Sequence, residues 1–217
     1  SVWDIFGTLA AGGAIVVPDA GREMEPAHWL DLVDREGVTV WNTVPAMMRM
    51  LVEYRAALGK NADKGSLRLV LLSGDWLPLS LPDQIRDHFP ANVISLGGAT
   101  EASIWSIFHP VEQVDAAWKS IPYGTPLPNQ RFHVLNQFMQ DCPDWVPGQL
   151  YIGGAGLARG YWNDPEKTAA AFITHPVSGE RLYRTGDMGY FHPSGVIVLL
   201  GREDTQCKVN GFRVELG

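Results

Sequence analysis

The chain has 217 residues, of which 46% are hydrophobic and 19% are charged. This composition is typical of a globular protein with one large or two smaller units. The formal net charge of −7 gives no electrostatic reason to expect a nucleic acid or an anionic membrane as partner, and no apolar run is long enough to span a bilayer. Two cysteines, Cys142 and Cys207, are too few for a disulfide framework, which favours a reducing, cytoplasmic setting.

The first half of the chain alternates between β-rich runs and helical patterns. Proline and glycine separate most of these segments. The predicted strands are Ala14–Val17, Val38–Val44, Leu69–Leu72 and Asn92–Leu96, and the predicted helices are Pro26–Gly37, Met47–Gly59 and Pro82–Phe89. This alternation predicts an α/β fold with a parallel, helix-covered sheet.

Small and polar residues follow three of the predicted strands. They are Asn42, then Ser73-Gly74-Asp75, then Leu96-Gly97-Gly98. Ligands of open parallel sheets bind outside the carboxyl ends of the strands, so these residues are expected on one binding edge. Thr100 and Glu101 come next, and a hydroxyl beside a carboxylate suits a phosphate and its metal ion. By itself this stretch is equally typical of a turn followed by a helix start.

After about Gly124 the helical periodicity largely disappears. Gly124–Pro128 is interpreted as a linker, and short alternating runs separated by turn residues follow it. The runs are Arg131–Leu135, Gln149–Ile152, Leu182–Arg184, Val196–Leu200, Gln206–Val209 and Phe212–Leu216, with a helix over Pro165–Phe172. They predict a small antiparallel β-barrel-like subdomain, with a hairpin turn at Asn210-Gly211. The expected divisions are 1–123, 124–202 and 203–217.

Two polar motifs of the second half are further candidates. Asp187 in Tyr183–Asp187 is expected at a strand end, where a carboxylate can accept hydrogen bonds from two vicinal hydroxyls such as those of a ribose. Arg202 in Gly201–Asp204 is suited to a phosphate or a sugar. Each motif alone is equally well explained as an ordinary turn or a solvated ion pair. Gly153–Gly156 lacks the following helix of a dinucleotide fingerprint and is interpreted as structural.

Five collinear segments together resemble the adenylation domains of nonribosomal peptide synthetases, within the AMP-binding, adenylate-forming superfamily. The resemblance covers the whole chain, from the substrate-pocket motif at its start to the motifs at its end. The segments are Ser1–Gly7, Gly97–Glu101, Gly148–Tyr161, Tyr183–Asp187 and Gly201–Gly217.

This resemblance implies a ligase with a two-step reaction. The carboxylate of an amino acid attacks the α-phosphate of Mg-ATP, which gives an aminoacyl-AMP and pyrophosphate, and the phosphopantetheine thiol of a carrier protein then captures the acyl group. Charge stabilisation and positioning are the main catalytic demands of such a reaction. The resemblance assigns Mg²⁺ binding to Glu101 and a phosphate contact to Thr100. It assigns the nucleotide contacts to Gly97, Gly98, Ala99, Asp187 and Arg202. It assigns the hinge and the thioester step to Asp204, Lys208 and Gly211.

The residues at the substrate-pocket positions suggest which amino acid is activated. These positions are Trp3, Asn42, Leu71, Ser73, Leu96, Ile104 and Trp105. They describe a small, mostly apolar pocket with one amide and one hydroxyl, which suits a thiol side chain. The stretch Gly97–Trp105 resembles the cysteine-activating subgroup of heterocyclising, siderophore-type modules. Most relatives have an aromatic residue, which packs on the adenine, where Gly97 stands, and a proline where Ala99 stands.

The chain is interpreted as part of a larger polypeptide. By resemblance, the phosphate loop would precede Ser1, and the C-terminal subdomain with its catalytic lysine would follow Gly217, so the isolated segment is expected to be inactive. A condensation or cyclisation domain and a carrier domain are expected in the same polypeptide, as is, in some relatives, an inserted methyltransferase-like domain. The alternatives are an acyl- or aryl-CoA ligase of the same superfamily and a non-catalytic scaffold remnant.

Overall fold

The fold is given by a computed structural model that describes residues 2–59, 65–202, 206–209 and 212–215, the last two ranges at the level of the backbone. It is a mixed α/β protein with one five-stranded sheet, a second, curled antiparallel sheet and a two-stranded ribbon. The α/β class predicted from the sequence is confirmed.

The first sheet has three parallel strands and two antiparallel ones. Strands β1 (Val40–Thr43), β2 (Leu69–Leu72) and β3 (Asn92–Gly97) pair in parallel, which confirms the predicted core of the sheet. Strands β4 (Ile107–Pro110) and β5 (Thr125–Pro126) extend it in antiparallel fashion. These two strands were not predicted, because they are short and carry prolines, and β5 lies within the predicted linker.

Helices α2 (Pro26–Glu36), α3 (Pro45–Ala57) and α4 (Leu81–His88) pack on one face of this sheet. Each has proline in its first turn, where the missing N–H costs nothing, and α2 ends at Gly37 in the left-handed conformation that suits glycine. The core between helices and sheet contains Trp29, Leu30, Val33, Met48, Leu51, Val52, Val70, Leu72, Ile85 and Val93. The helix-covered sheet was therefore predicted correctly.

The predicted strand at Ala14–Val17 is wrong. A π-helical turn (Trp3–Gly7) and the short helix α1 (Thr8–Ala10) are followed by a segment that pairs with no strand in the described part of the chain. The side chains of Ile15, Val16 and Val17 are 40%, 37% and 73% exposed. A β-branched run favours a strand only where it fits a pleated, half-buried surface, and no such surface receives this run.

The second sheet is wholly antiparallel. Its order is β10-β9-β7-β6, with β8 paired to β9. The strands are β6 (Gln130–Leu135), β7 (Gly148–Gly154), β8 (Phe172–Thr174), β9 (Arg181–Phe191) and β10 (Ile197–Arg202). Helix α5 (Pro165–Ala171) lies before β8, and its N-cap Asp164 accepts a hydrogen bond from the backbone of Lys167 at 2.9 Å. The predicted antiparallel unit and its single helix are both confirmed.

The two sheets join at Tyr123 and Gly124. The Tyr123 N–H donates to the Ile197 carbonyl at 2.9 Å, and the Ile197 N–H donates to the Gly124 carbonyl at 2.8 Å. A Cβ at Gly124 would lie 2.0 Å from the Phe108 carbonyl oxygen, so only glycine fits between β4 and β10. This junction fixes the end of the first sheet against the edge of the second.

The last described strands form a ribbon. Strands β11 (Gln206–Val209) and β12 (Phe212–Glu215) pair antiparallel with Val209 opposite Phe212, which confirms the predicted pairing of these two runs. Asn210 and Gly211, predicted as the turn, lie outside the described residues, as does Asp204. No helix in the described ranges is both long and apolar enough to cross a membrane.

Candidate active site

The loop after β3 is a tight return into β4. The Ser106 N–H donates to the Gly97 carbonyl at 2.8 Å, and a Cβ on Gly98 (φ 146°) would lie 2.7 Å from the Ser106 nitrogen. Thr100–Ala102 forms one 3₁₀ turn, and Ser103 and Ile104 then have φ values of 64° and 73°. A β-branched residue at positive φ is a strained outlier, and such outliers cluster at functional sites. The loop backbone is thus held in an unusual conformation.

The substrate-pocket positions share one region at the carboxyl ends of the parallel strands. Asn42 pairs with Leu71 in the sheet register and Leu71 pairs with Ile94, so these residues and Leu96 face away from the helices. The rings of Trp3 and Trp105 lie 5.2 Å apart, which places the N-terminal turn against the loop after β3.

Two further pocket positions lie at the edges of this region. Ser73 follows β2 and continues its register, with its N–H donating to the Thr43 carbonyl at 3.2 Å. Ile104 is 40% exposed. The structure therefore brings the predicted pocket residues to one face and one edge of the first sheet.

Asp4, which sequence reasoning did not identify, contacts a predicted pocket residue. The Asn42 side-chain amide donates to Asp4 Oδ1 at 2.6 Å, although the two residues are 38 positions apart. This bond fixes the orientation of the Asn42 amide, the one amide among the pocket positions. The signal that could have indicated Asp4 was its position directly after Trp3, within the segment Ser1–Gly7 that resembles the substrate-pocket motif.

Tyr123 occupies the space that a side chain at Gly97 would need. A Cβ built on Gly97 would lie 1.9 Å from Tyr123 Cε2 and 2.6 Å from its Cζ. The ring also contacts Phe132 edge-on, with centroids 5.9 Å apart. Burial is the main cause that raises the pKa of Tyr123, the charge of Asp187 raises it further, and a hydrogen bond with the Gly98 backbone acts in the opposite direction. The Tyr123 ring therefore packs against the end of β3 and against Phe132.

Asp187 and Arg202 form a partly buried ion pair. Arg202 Nη1 donates to Asp187 Oδ1 at 3.2 Å and to the Thr185 carbonyl at 3.1 Å, and the two side chains are 25% and 22% exposed. The Asp187 N–H donates to the Thr185 hydroxyl at 3.0 Å. Gly186 has φ 78°, and a Cβ there would lie 2.6 Å from Arg202 Nη2. The sequence indicated Asp187 and Arg202 in two separate motifs, and in the structure the two residues form one ion pair.

The placement of Asp187 at a strand end is wrong. Strand β9 runs through Gly186 to Phe191, and Asp187 pairs with Arg202 of β10. The register between β7 and β9 shifts between Gln149 and Tyr151, which are paired with Met188 and Arg184, and this irregularity accommodates Gly186 without ending the strand. Asp187 is therefore presented from a distorted strand interior.

Glu101 lies on the 3₁₀ turn and receives a hydrogen bond from a distant tyrosine. The Tyr161 hydroxyl donates to Glu101 Oε1 at 2.6 Å. Thr100 is exposed beside it. A cavity of about 440 Å³ lies next to this contact and is lined in part by Tyr161, Lys167, Tyr183, Thr185, Gly186 and Arg202. Hydroxyls and cationic groups thus surround an open space that suits an anionic ligand.

No group of three or more His, Cys, Asp or Glu side chains that could cage a metal occurs among the described residues. Mg²⁺ does not need such a cage, since it prefers oxygen ligands and is usually held by one or two carboxylates with water and phosphate oxygens. The Glu101 carboxylate and the Thr100 hydroxyl are donors of this kind. The residues present therefore fit Mg²⁺ delivered with a phosphate ligand.

The structure describes the remaining predicted residues to different extents. Ala99 packs against the core of the second sheet. Lys208 lies on β11, where only the backbone is described, and Asp204 and Gly211 lie outside the described residues. The glycine-rich segment Gly153–Gly156 ends β7, and the Gly156 carbonyl accepts a hydrogen bond from Ser103 Oγ at 2.7 Å. That contact agrees with a structural role for the segment.

A family profile described as AMP-binding enzyme matches residues 1–162. The chain belongs to this family. The match contains the loop after β3, the pocket positions and Tyr161.

Several curated relatives match over the whole chain. It is 48% identical to the anguibactin system regulator of Vibrio anguillarum, 49% identical to bacitracin synthase 1 of Bacillus licheniformis and 47% identical to pyochelin synthetase PchF of Pseudomonas aeruginosa. It spans only 20%, 4% and 12% of the length of these relatives. The relatives are nonribosomal peptide synthetase systems, several of them for siderophores, as the sequence resemblance predicted.

Solved structures show the same architecture. The nonribosomal peptide synthetase FmoA3 with bound α-methyl-L-serine-AMP has a TM-score of 0.89 and 46% identity, over 94% of this chain and 23% of that one. PA1221, a nonribosomal peptide synthetase protein containing adenylation and PCP domains, has a TM-score of 0.86 and 29% identity, over 99% of this chain and 43% of that one. The fold and the partial coverage both agree with a segment of a nonribosomal peptide synthetase adenylation domain.

Proposed function

We propose that the chain forms the ATP and amino-acid site of an adenylation domain that activates cysteine. In the full-length protein this domain forms cysteinyl-AMP and pyrophosphate and then transfers the acyl group to a carrier-protein thiol. One observation carries the proposal: Trp3 of the pocket packs on the loop after β3, Glu101 of that loop is bonded to Tyr161, and Tyr161 lines one cavity with Arg202, the ion-pair partner of Asp187. A phosphoryl-transfer site needs this combination of a metal ligand, a nucleotide contact and a positioned nucleophile.

Glu101 and Thr100 are assigned to the metal–phosphate end of the site. Glu101 would hold Mg²⁺, which when bound supplies charge neutralisation at the phosphates. Thr100 is exposed beside it and offers a hydroxyl to a phosphate oxygen. Gly97, Gly98 and Ala99 let the backbone of the loop approach the nucleotide closely.

The nucleoside end is assigned to Asp187, Arg202 and Tyr123. Asp187 accepts hydrogen bonds from the ribose hydroxyls, while Arg202 holds its carboxylate in place. Tyr123 supplies an aromatic ring in the space beside Gly97, where most relatives place an aromatic side chain on the strand itself. We assign the adenine contact to this ring.

The residues at the pocket positions favour a small amino acid with a polar side chain as substrate. Two packed tryptophans narrow it, and the Asn42 amide, held by Asp4, and the Ser73 hydroxyl provide its polarity. The FmoA3 structure contains the adenylate of α-methyl-L-serine, which also has a small side chain with one heteroatom. Cysteine satisfies the same size and polarity.

The second step requires partners beyond this chain. PA1221 combines adenylation and PCP domains, which supports a carrier-protein partner bearing phosphopantetheine. Asp204, Lys208 and Gly211 are assigned to the hinge and the thioester step by their place in the sequence. The condensation or cyclisation domain, the inserted methyltransferase-like domain and the cytoplasmic location belong to the same proposal.

The test is amino-acid-dependent ATP–pyrophosphate exchange by the full-length protein with a panel of amino acids. We expect cysteine to give the highest exchange rate and Glu101→Ala to abolish it, because the metal–phosphate charge then lacks its ligand. Arg35→Ala on the exposed face of α2 is the matched control and should keep the wild-type rate. A different preferred amino acid would refute the cysteine assignment, and full exchange by Glu101→Ala would refute the role of Glu101. Transfer to coenzyme A rather than to a carrier domain would favour the acyl-CoA ligase alternative.

A further inference from the structure

Two tyrosines of the second sheet region converge on Glu101 of the first. Tyr161 lies between β7 and α5, and its hydroxyl donates to Glu101 Oε1 at 2.6 Å across 60 positions of sequence. Tyr183 lies on β9 and is only 9% exposed. Burial is the main cause that raises its pKa, followed by the charges of Glu101 and Tyr161 and by hydrogen bonds to both. The Tyr161 phenol is therefore the observed donor to the Glu101 carboxylate, and Tyr183 lies close to Tyr161, with both rings packed against Phe172.

The Tyr161 ring is held on several sides. Its backbone N–H donates to the Thr168 hydroxyl at 2.8 Å, its ring packs against Phe172 with centroids 5.9 Å apart, and Lys167 Nζ lies 4.5 Å from its centroid. A ring fixed in this way presents its hydroxyl in one direction. Tyr161 can therefore define where the Glu101 carboxylate points.

The backbone of Glu101 is fixed to the same side of the molecule. The Ala158 N–H donates to the Glu101 carbonyl at 2.8 Å, and Ser103 Oγ donates to the Gly156 carbonyl at 2.7 Å. These two hydrogen bonds join the loop that carries the 3₁₀ turn to the segment before Tyr161. Side chain and backbone of Glu101 are both oriented from the second sheet region.

The donor that holds Glu101 Oε1 is the neutral Tyr161 hydroxyl, at 2.6 Å. A neutral donor fixes the direction of the carboxylate without cancelling its charge, so the negative charge stays available to a cation.

We propose that Tyr161, supported by Tyr183, is a positioning residue that orients Glu101 as a divalent-metal ligand. This inference rests on the proposed role of Glu101. The tyrosine hydroxyl holds one carboxylate oxygen before the metal–nucleotide complex arrives, so the site loses less orientational freedom on binding. Partners of metal ligands typically contribute tenfold or more to metal affinity.

The test is direct metal binding by the full-length protein. Mn²⁺ replaces Mg²⁺ as the probe, with a non-hydrolysable ATP analogue present, and free Mn²⁺ is measured by electron paramagnetic resonance. We expect Tyr161→Phe to weaken Mn²⁺ binding about tenfold and Tyr183→Phe to weaken it less. Tyr190→Phe, on β9 beside Trp145, is the matched control and should bind as the wild type.

A second readout separates positioning from a purely structural role. In pyrophosphate exchange, Tyr161→Phe should require a several-fold higher Mg²⁺ concentration for half-maximal rate while the KM for the amino acid stays unchanged. Unchanged Mn²⁺ affinity in both tyrosine variants would overturn the proposal, and so would equal losses of metal and amino-acid affinity. If Tyr161→Phe lowers the melting temperature of the protein, the Mn²⁺ affinity of Tyr183→Phe tests the proposal in its place. Weaker binding would support the positioning role, and unchanged binding would contradict it.

Glu101→Gln separates the metal role of Glu101 from the positioning role of the tyrosines, since it keeps the shape of the side chain and removes its charge. Weakened Mn²⁺ binding in Glu101→Gln with unchanged binding in the tyrosine variants would refute the positioning role alone. Unchanged binding in Glu101→Gln would refute the metal role of Glu101 and the positioning role with it.

Discussion

At the scale of single residues, the most informative position is Gly97. By the resemblance, an aromatic residue is expected at this position, and in the structure the Tyr123 ring fills the space that a side chain at Gly97 would need. The two residues are 26 positions apart, with Gly97 at the end of β3 and Tyr123 two residues before β5, so their sizes are complementary only in the folded chain. An aromatic ring is thereby kept beside the loop after β3 although the strand itself carries none.

The substitution Gly97→Ala tests this complementarity. The new Cβ would lie 1.9 Å from the Tyr123 ring, and that ring is confined by Phe132. We expect overpacking to lower the free energy of unfolding by about 1–3 kcal/mol. We also expect a higher KM for ATP, because the ring assigned to the adenine is displaced, with little change in the KM for the amino acid. Chemical denaturation and steady-state exchange measure these effects.

The control for this prediction is a double-mutant cycle with Tyr123→Ala. Removing the ring creates space, so Gly97→Ala should cost much less stability in that background than in the wild type. Equal costs in both backgrounds would show that the two positions do not interact, and the size complementarity would then be wrong.

At the scale of secondary-structure elements, the distorted pair β9–β10 presents the candidate ribose ligand. Gly186 at positive φ lets the Arg202 guanidinium lie against the backbone, where it contacts both the Thr185 carbonyl and the Asp187 carboxylate. Asp187 and Arg202 are directly opposite in the register, so their side chains lie on the same face of the sheet. The missing Cβ of Gly186 leaves room for the guanidinium, and this glycine is thus part of how the site is built.

The substitution Arg202→Lys tests the importance of the guanidinium. Lysine keeps the charge, but its shorter side chain does not carry the ammonium to the position from which Arg202 Nη1 contacts both oxygens. Loss of one charge-assisted hydrogen bond at a partly exposed pair should cost about 1 kcal/mol, which corresponds to a roughly fivefold higher KM for ATP. Arg35→Lys on α2 is the control, because Arg35 forms only exposed ion pairs. A wild-type KM in Arg202→Lys would show that the charge alone is sufficient.

At the scale of the whole molecule, the site lies where two sheets meet. The first sheet contributes the pocket and Glu101, and the second contributes Tyr161, Asp187 and Arg202. The Tyr123–Gly124 junction and the Ala158–Glu101 hydrogen bond hold the two together. The activity therefore depends on the relative position of the sheets as well as on the residues themselves.

The isolated 217-residue chain tests the prediction that further parts of the domain are needed. By resemblance, the phosphate loop and the catalytic lysine belong to segments outside this sequence, so positioning and charge stabilisation are incomplete without them. We expect no measurable cysteine-dependent pyrophosphate exchange by the isolated chain when its circular dichroism shows a folded protein. The full-length protein is the positive control, and exchange by the isolated chain would contradict the prediction.

Much of the fold followed from local sequence signals. Proline at the start of α2, α3 and α4 and glycine after α2 mark these helices, and the strand at Leu69–Leu72 was located to the residue. Ala14–Val17 failed because a β-rich run needs a partner that sequence alone does not supply. Strands β4 and β5 were missed for the opposite reason, since the pairing of β4 with β3 and of β5 with β4 makes strands of short, proline-containing sequences.

The sequence by itself determined the candidates for the chemistry: Thr100, Glu101, Asp187 and Arg202 stand in recognisable motifs, and the pocket positions follow from the resemblance. Only the tertiary structure decided how these residues are held. Tyr161 reaches Glu101, Tyr123 fills the space beside Gly97, and Asp4 orients Asn42 through contacts between residues 26 to 60 positions apart. Motifs record local chemistry, whereas hydrogen bonds and steric fit between distant segments exist only after the sheets have paired and packed.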